Sequence, residues 1–362
     1  MPPGAGKRVA FYAPMKPPHH PVPSGDREIA RNLMGLLGAS GADVQLVSEH
    51  RIYDKHGDVA LQADLRKAAK AEAERLIHDL SAADLWVTYH NYYKAPDLLG
   101  PAVARARGIP YVQIESTRAN KRLTGPWAGF AEAAHSAADA AAAIFYFTAQ
   151  DRFALERDRC GNQIIAPLPP FLPLEDLPAA SSLDGPMLTA GMMRAGDKLG
   201  SYRIIAEALG HLPGNWQLDI AGDGPARSEV EALMGAFGGK VRFLGQLTRE
   251  ELSAAYAHAS LFLWPGVNEA FGMVYLEAQA HGLPVAAQNR PGVRDILLPR
   301  PYPEREDGPE ALAAFTASLL ASPALRTTIG RSAREHIARN HLAPAATRQF
   351  WDVAAPLMET RA

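Results

Sequence analysis

The chain has 362 residues, 47% apolar and 21% charged, an ordinary globular composition with length for two α/β cores rather than one. Lysine plus arginine, 37 in all, nearly balance 39 aspartates plus glutamates, so no overall field draws DNA or RNA and any anionic ligand must meet a local cluster. The single cysteine, Cys160, excludes an intramolecular disulfide and a cysteine-based zinc site, and fits a reduced, cytoplasmic setting.

In chain order, residues 1–14 pass from a short polar lead straight into a strand-like run, with no signal-peptide apolar region. Short runs rich in β-branched or aromatic residues at 8–13, 43–48, 85–90, 111–115 and 143–147 read as buried strands. Between them, Ile29, Leu33, Leu36 and Leu37 form an apolar stripe at helical spacing, residues 61–80 read as a charged helix, and 131–143 form an alanine-rich one. Four prolines within 166–173 can continue neither a helix nor an inner strand, which places a linker there. The alternation restarts with strands expected at 187–190, 217–221, 241–244, 261–264 and 285–287. Strand–helix alternation predicts parallel sheets covered by helices on both faces: an α/β protein of two doubly wound, Rossmann-like domains, 1–168 and 169–340. The closing segment, 341–362, is expected to pack back on the first domain. No segment approaches the ~18 apolar residues needed to span a bilayer, which leaves peripheral contact at the inner face of a membrane open. Nothing in the sequence fixes an oligomeric state.

The strongest chemical signal runs from Trp264 to Val285. A strand ends at Trp264, a loop carries Gly266 and Glu269, and a helix opens around Phe271 and Gly272, closing at Gly282 and Pro284. Free amides at the helix start suit an anion, and Gly272 permits close approach of a phosphate. Glu269 and Glu277, on either side of the helix start, can address different ends of one ligand, and carboxylates suit vicinal hydroxyls. A second constellation, Gly191 to Lys198, follows the first strand of the second domain, at the edge where open α/β sheets bind ligands. There Arg194 and Lys198 can neutralise charge on a departing diphosphate; the plainer reading is a solvated basic turn.

The string from Trp264 to Val285 resembles the E-x7-E signature of glycosyltransferase family 4, and the likeness extends to Leu218–Pro225, Val241–Leu247, Glu250–Tyr256 and Pro291–Ile296. Pro17, Pro18, Ser24 and Gly25 are similar to the family's first loop. The resemblance implies the GT-B architecture, two Rossmann-like domains facing across a cleft, and a retaining transfer from a nucleoside-diphosphate sugar without a metal or other cofactor. It implies that Glu277 binds the ribose hydroxyls and Glu269 the transferred sugar. The amides of Phe271, Gly272 and Met273 take the diphosphate, and the segment from Gly245 to Leu247 lines the base. His90, at a strand end, matches a histidine that contacts the donor sugar; Gly25 would let backbone approach a phosphate.

Two departures stand out. The family's arginine position is Met192, so either Arg194 takes over or Lys198 clamps the phosphates alone. Residues 297–307, with three prolines, replace the expected glycine-rich strand. Arg118, Lys121 and Arg122 either grip an anionic acceptor or membrane surface or form a solvated face. Asp219 and Asp223 do not form a metal-binding DxD. The acceptor is a small molecule, glycan or lipid-linked group. A nucleotide-sugar epimerase, a phosphorylase and an inactive nucleotide-sugar-binding scaffold are the competing readings. A dinucleotide dehydrogenase is disfavoured, because Ala13-Pro-Met-Lys-Pro-Pro stands where G-x-G-x-x-G should follow the first strand.

Overall fold

The computed structural model describes residues 1–22 and 24–359. These divide into two units, one of residues up to 169 together with 343–359, the other of residues 170–342. In the first, β1 (Arg8–Tyr12), α1 (Gly25–Ala39), β2 (Asp43–Ser48), α2 (Val59–Asp79), β3 (Leu85–Asn91), α3 (Gly100–Arg107), β4 (Tyr111–Ser116), α4 (Ala128–Ala140), β5 (Ala143–Tyr146), α5 (Ala149–Arg157) and β6 (Ile164–Pro167) alternate without exception. The sheet is parallel, in the order β2-β1-β3-β4-β5-β6. Strand β6 occupies the start of the proline-rich stretch assigned above to a linker. Pro167 is tolerated because β6 is an edge strand and Pro167 its last residue, where a missing N–H breaks little.

The second unit contains β7 (Met187–Ala190), α6 (Asp197–His211), β8 (Leu218–Ala221), α7 (Arg227–Met234), β9 (Val241–Gly245), α8 (Arg249–His258), β10 (Phe262–Leu263), α9 (Met273–Ala280), β11 (Val285–Ala286), α10 (Gly308–Ala321) and α11 (Pro323–Asn340). Its sheet is also parallel, in the order β11-β10-β7-β8-β9. Every residue of β7 and β8 is buried, as strands covered on both faces require. At the end of α11 the buried His341 donates from Nδ1 to the Pro170 carbonyl, 2.7 Å away, and its own carbonyl accepts from Leu172 N at 2.8 Å. Burial pushes its pKa down to about 4, so it is a neutral pin between the two ends of this unit.

The last helix, α12 (Ala343–Glu359), belongs to the first unit. Phe350 stacks on Phe145 of β5, with ring centroids 5.2 Å apart, and Trp351 Nε1 donates to Ser40 Oγ at 2.8 Å. Residues 360–362 of the expected returning segment lie outside the described residues.

Candidate functional site

Both sheets have one place where the strand order reverses: between β1 and β3 in the first unit, and between β7 and β10 in the second. Loops leaving the carboxyl ends of such strands diverge and leave a crevice. In the second unit these are the loops that follow Ala190 and Leu263, which hold the two strongest motifs of the sequence.

The loop after β7 is shaped by glycines. A Cβ on Gly191 would meet the Trp264 ring at 2.9 Å. On Gly222 and Gly224, whose φ values are 136° and 152°, it would meet the carbonyl oxygens of Gly191 at 2.0 Å and Met193 at 2.3 Å. Met193 N donates to Asp223 O and Ala226 N to Met193 O, each at 2.9 Å. The GDGP turn therefore lies directly on the backbone of the 191–193 loop. That contact turns Met193 inward and leaves Met192 and Arg194 exposed. Lys198, in the first turn of α6, reaches Glu269 and forms an ion pair with its Oε1. Trp264 Nε1 donates to the same oxygen at 3.0 Å, and the Lys198 ammonium sits 5.3 Å from the Trp264 ring centroid. Glu269 Oε2 has no hydrogen-bond partner among the described residues.

The loop bearing Glu269 is fixed from several sides. Asn268, with a φ of 48°, donates to Asp197 Oδ1 at 2.8 Å. Tyr275 OH donates to Trp264 O at 3.0 Å. A Cβ on Gly292 would lie 2.0 Å from the Ala270 carbonyl oxygen, so the 291–295 loop packs against this turn. Helix α9 starts at Met273 behind Gly272, whose φ of 69° brings the Tyr275 ring so close that a Cβ would meet it at 2.9 Å. Among the described residues no side chain caps this helix start, so its first amides point where an anion can be held. One turn on, Tyr256 OH donates to Glu277 Oε2 at 3.0 Å and stacks on His281, with centroids 5.4 Å apart. Burial, with Glu277 adding to it, raises the Tyr256 hydroxyl well above its ordinary range; it stays a proton donor to the carboxylate. Gly245 ends β9 at a φ of 71°, its carbonyl held by Gly222 N at 2.7 Å, and the half-buried Leu247 precedes the Thr248 cap of α8.

Asp219 is held by Arg242 at 2.6 and 2.9 Å and Asp223 by Arg227 at 3.1 Å. Among the described residues no group of three or more His, Cys, Asp or Glu is placed to hold a metal. The proline-bearing segment after Ile296 folds back beside Asn289, which bonds Pro303 O at 2.8 Å and Glu304 Oε1 at 2.6 Å.

In the first unit, the loops at the reversal are those after β1 and β3. Asn91 ties the tips of β3 and β4 by donating to Gln113, Ser116 and the Ala134 carbonyl. His90 and Glu115 adopt positive φ there, 65° and 59°, a strain that clusters at functional sites. His90 Nδ1 lies 3.1 Å from Asp26 Oδ1 in the first turn of α1 and 3.7 Å from Glu115 Oε2. Burial works against a charged imidazole, but Glu115 and Asp26, with Asp151 beyond, outweigh it and hold the His90 pKa above its ordinary value. Gly25 is the exposed first residue of α1, with open space where a Cβ would stand. Arg118 is turned inward onto Asp139 at 2.6 Å, with its side chain 3% exposed, so it is no part of a surface grip.

Sequence reading did not find the roles of Trp264, Tyr256 and Asp26 as anchors of Glu269, Glu277 and His90. Each pair joins different elements, and no local spacing signals it.

Residues 201–336 match the family model described as Glycosyl transferases group 1. The chain is 32% identical over 145 residues to sulfoquinovosyl transferase SQD2 of Arabidopsis thaliana, covering 37% of this chain and 27% of that protein. It is 34% identical over 164 residues to a D-inositol 3-phosphate glycosyltransferase of Xylanimonas cellulosilytica, covering 43% and 37%. The chain thus matches well under half the length of these curated relatives. Among solved structures, sucrose-phosphate synthase of Thermosynechococcus elongatus aligns over 98% of this chain and 100% of its own, with a TM-score of 0.70 at 19% identity. Anabaena HepE in complex with UDP and glucose covers 97% and 100%, with a TM-score of 0.66 at 14% identity. The fold is that of the GT-B proteins, two parallel-sheet α/β units. The match to the family model lies within the second unit.

Proposed function

We propose that this protein is a retaining glycosyltransferase that moves a sugar from a nucleoside-diphosphate sugar to a hydroxyl acceptor, without a divalent cation. The observation that carries this reading is the convergence of Lys198, Glu269 and the uncapped start of α9 at the reversal point of one sheet, with Glu277 anchored by Tyr256 one turn further. The α9 amides and Lys198 hold the diphosphate, Glu269 Oε2 accepts from a hydroxyl of the sugar, and Glu277 accepts from the ribose. The names of the relatives, among them a mannosyltransferase described as GDP-mannose-dependent, and the UDP-glucose complex of HepE support a nucleotide-sugar donor.

In the reaction, the bond between the anomeric carbon and the diphosphate oxygen breaks through an oxocarbenium-like state. The acceptor hydroxyl forms the new bond on the same face, and its proton passes to the departing diphosphate. Lys198 meets charge that grows as that bond breaks, so it acts more strongly in the transition state than in the ground state. The protein works in the cytoplasm, where nucleotide sugars are the donors, with or without contact with a membrane face.

The test is incubation with UDP-, GDP- and ADP-hexoses in the presence of a chelator, with and without a mixture of sugar, polyol and lipid hydroxyl acceptors. Nucleoside diphosphate release that requires acceptor, with the anomeric proton of the product unchanged in configuration, is expected. Conversion of the donor without acceptor would instead make the protein an epimerase, and activity only on adding magnesium or manganese would overturn the metal-free reading.

A further inference from the structure

The first unit carries a second built feature beside His90. Ring contacts run from His90 to Tyr92, with centroids 4.7 Å apart, then to Tyr93 at 5.5 Å and Trp127 at 5.8 Å. Over the last two rings stand two cations. Lys94 Nζ is 5.7 Å from the Tyr93 centroid and 5.5 Å from that of Trp127, and the Arg122 guanidinium carbon is 5.1 Å from both. A third cation, Arg51, covers Tyr53 at 4.5 Å. None of the three makes an ion pair among the described residues. Asp54, whose backbone bonds to Lys94, is buried, and its carboxylate already accepts from Gln62 Nε2 at 2.7 Å and from the amides of His56 and Gly57.

This shelf is held in place by three loops bonded to one another. Asp54 N donates to Lys94 O at 2.9 Å, Trp127 Nε1 to Asp54 O at 3.3 Å, and Gln62 Nε2 to Pro126 O at 2.9 Å. A cation over a ring face is attracted by the ring quadrupole, but two cations over the same two rings also repel each other. With no carboxylate paired to either cation among the described residues, an anion from outside would offset that repulsion, and Arg with Lys is the pairing suited to phosphate oxygens.

We infer that Lys94 and Arg122, on the Tyr93–Trp127 shelf, bind the phosphate group of the acceptor, so that the acceptor is a phosphorylated polyol or sugar, free or as a phospholipid headgroup. This rests on the transfer reading above. The ring series from the shelf to His90 gives such an acceptor a surface along which its free hydroxyl lies toward His90 while its phosphate stays on the two cations. Attraction of this kind weakens as salt screens it.

The experiment uses the full chain and the double variant Lys94→Gln/Arg122→Gln, both checked by thermal unfolding. Glycerol 3-phosphate and glycerol are titrated calorimetrically, and vesicles of phosphatidylcholine alone or mixed equally with phosphatidylglycerol are tested by co-sedimentation. Binding of a phosphate-bearing probe, weakened tenfold or more by the double substitution and by added salt, is expected. Binding of glycerol 3-phosphate identifies a free phosphate, and binding of the anionic vesicles alone a lipid headgroup. If no phosphate-bearing probe binds, or the variant binds as wild type does, the inference is overturned. A nucleotide-sugar titration on both proteins separates the two readings. Donor binding without phosphate binding sinks only the acceptor site, whereas phosphate binding without any donor binding sinks the transfer reading on which it rests.

Discussion

At the scale of single residues, the candidate site works by holding charged groups ready with partners that a ligand can share. Lys198 is paired with Glu269, and Trp264 holds the same carboxylate oxygen. Their geometry is therefore set without a ligand, which on the proposed reading leaves little reorganisation for the reaction. Removing one preorganised charge-stabilising group typically costs on the order of 10²–10³ in rate. Steady-state kinetics of Lys198→Ala should show turnover lowered by about that factor, with a much smaller change in donor affinity. Arg194, exposed and without an ion pair among the described residues, should matter comparably only if it swings onto the diphosphate. An Arg194→Ala protein that loses turnover while Lys198→Ala keeps it would move the clamp to Arg194. His90 gives a pH signature. Its pKa is raised against the effect of burial by Glu115, Asp26 and Asp151, so the charged imidazole persists above the ordinary histidine range and is lost as pH rises through the raised value. Asp26→Asn removes one of those charges, and the His90 resonance followed by NMR should then titrate at lower pH than in wild type. An unshifted midpoint would show that Asp26 does not support the cation.

At the scale of elements, glycines decide how closely the loops at the sheet reversal can approach. Gly222 would place a Cβ 2.0 Å from the Gly191 carbonyl oxygen at a φ of 136°, a clash that only backbone movement relieves. Gly222→Ala should lower stability by about 2 kcal/mol or more and weaken donor binding as well, because the displaced backbone is the loop leading to Lys198. Gly210, inside α6 with nothing within 4 Å of a Cβ, is the contrast: Gly210→Ala should leave binding alone and raise stability by about 0.5–1 kcal/mol. Urea denaturation of the two variants tests the pair, and equal effects would sever the link between this packing and the site. The elements themselves were largely legible. Strands 43–48 and 187–190 coincide with β2 and β7, because short buried runs between loop signals have few other readings. Strand β6 was not legible, since its Ala166 and Pro167 sit within a proline-rich stretch that only an edge position excuses. The spacing of Glu269 and Glu277 could be read from one helix start. The pairing of Lys198 with Glu269, 71 residues apart, and of Tyr256 with Glu277, 21 apart, could not, because such contacts are made by sheet order rather than by local period. Nor could the sequence tell Arg118, folded onto Asp139, from Arg122 four residues on, which stands over two rings.

At the scale of the whole molecule, two sheets with reversed strand order each bring charged side chains to one edge, and the two edges differ in chemistry. The second unit offers helix amides, a lysine and two glutamates, a set for phosphates and hydroxyls. The first offers a protonatable histidine and an aromatic shelf with cations. The central claim is that the second unit binds a nucleoside-diphosphate sugar through Glu277 and its neighbours. Thermal unfolding of wild type and Glu277→Ala against a panel of UDP-, GDP- and ADP-sugars tests it most directly, because a ligand that binds only the folded state raises its stability. One class of donor should raise the wild-type midpoint by about 5 °C at saturating concentration. Glu277→Ala should shrink that shift, matching a loss of roughly 1–3 kcal/mol in binding, while unfolding at a similar temperature without ligand. A panel in which no nucleotide sugar moves the wild-type midpoint, or in which Glu277→Ala responds as wild type does, would contradict the account.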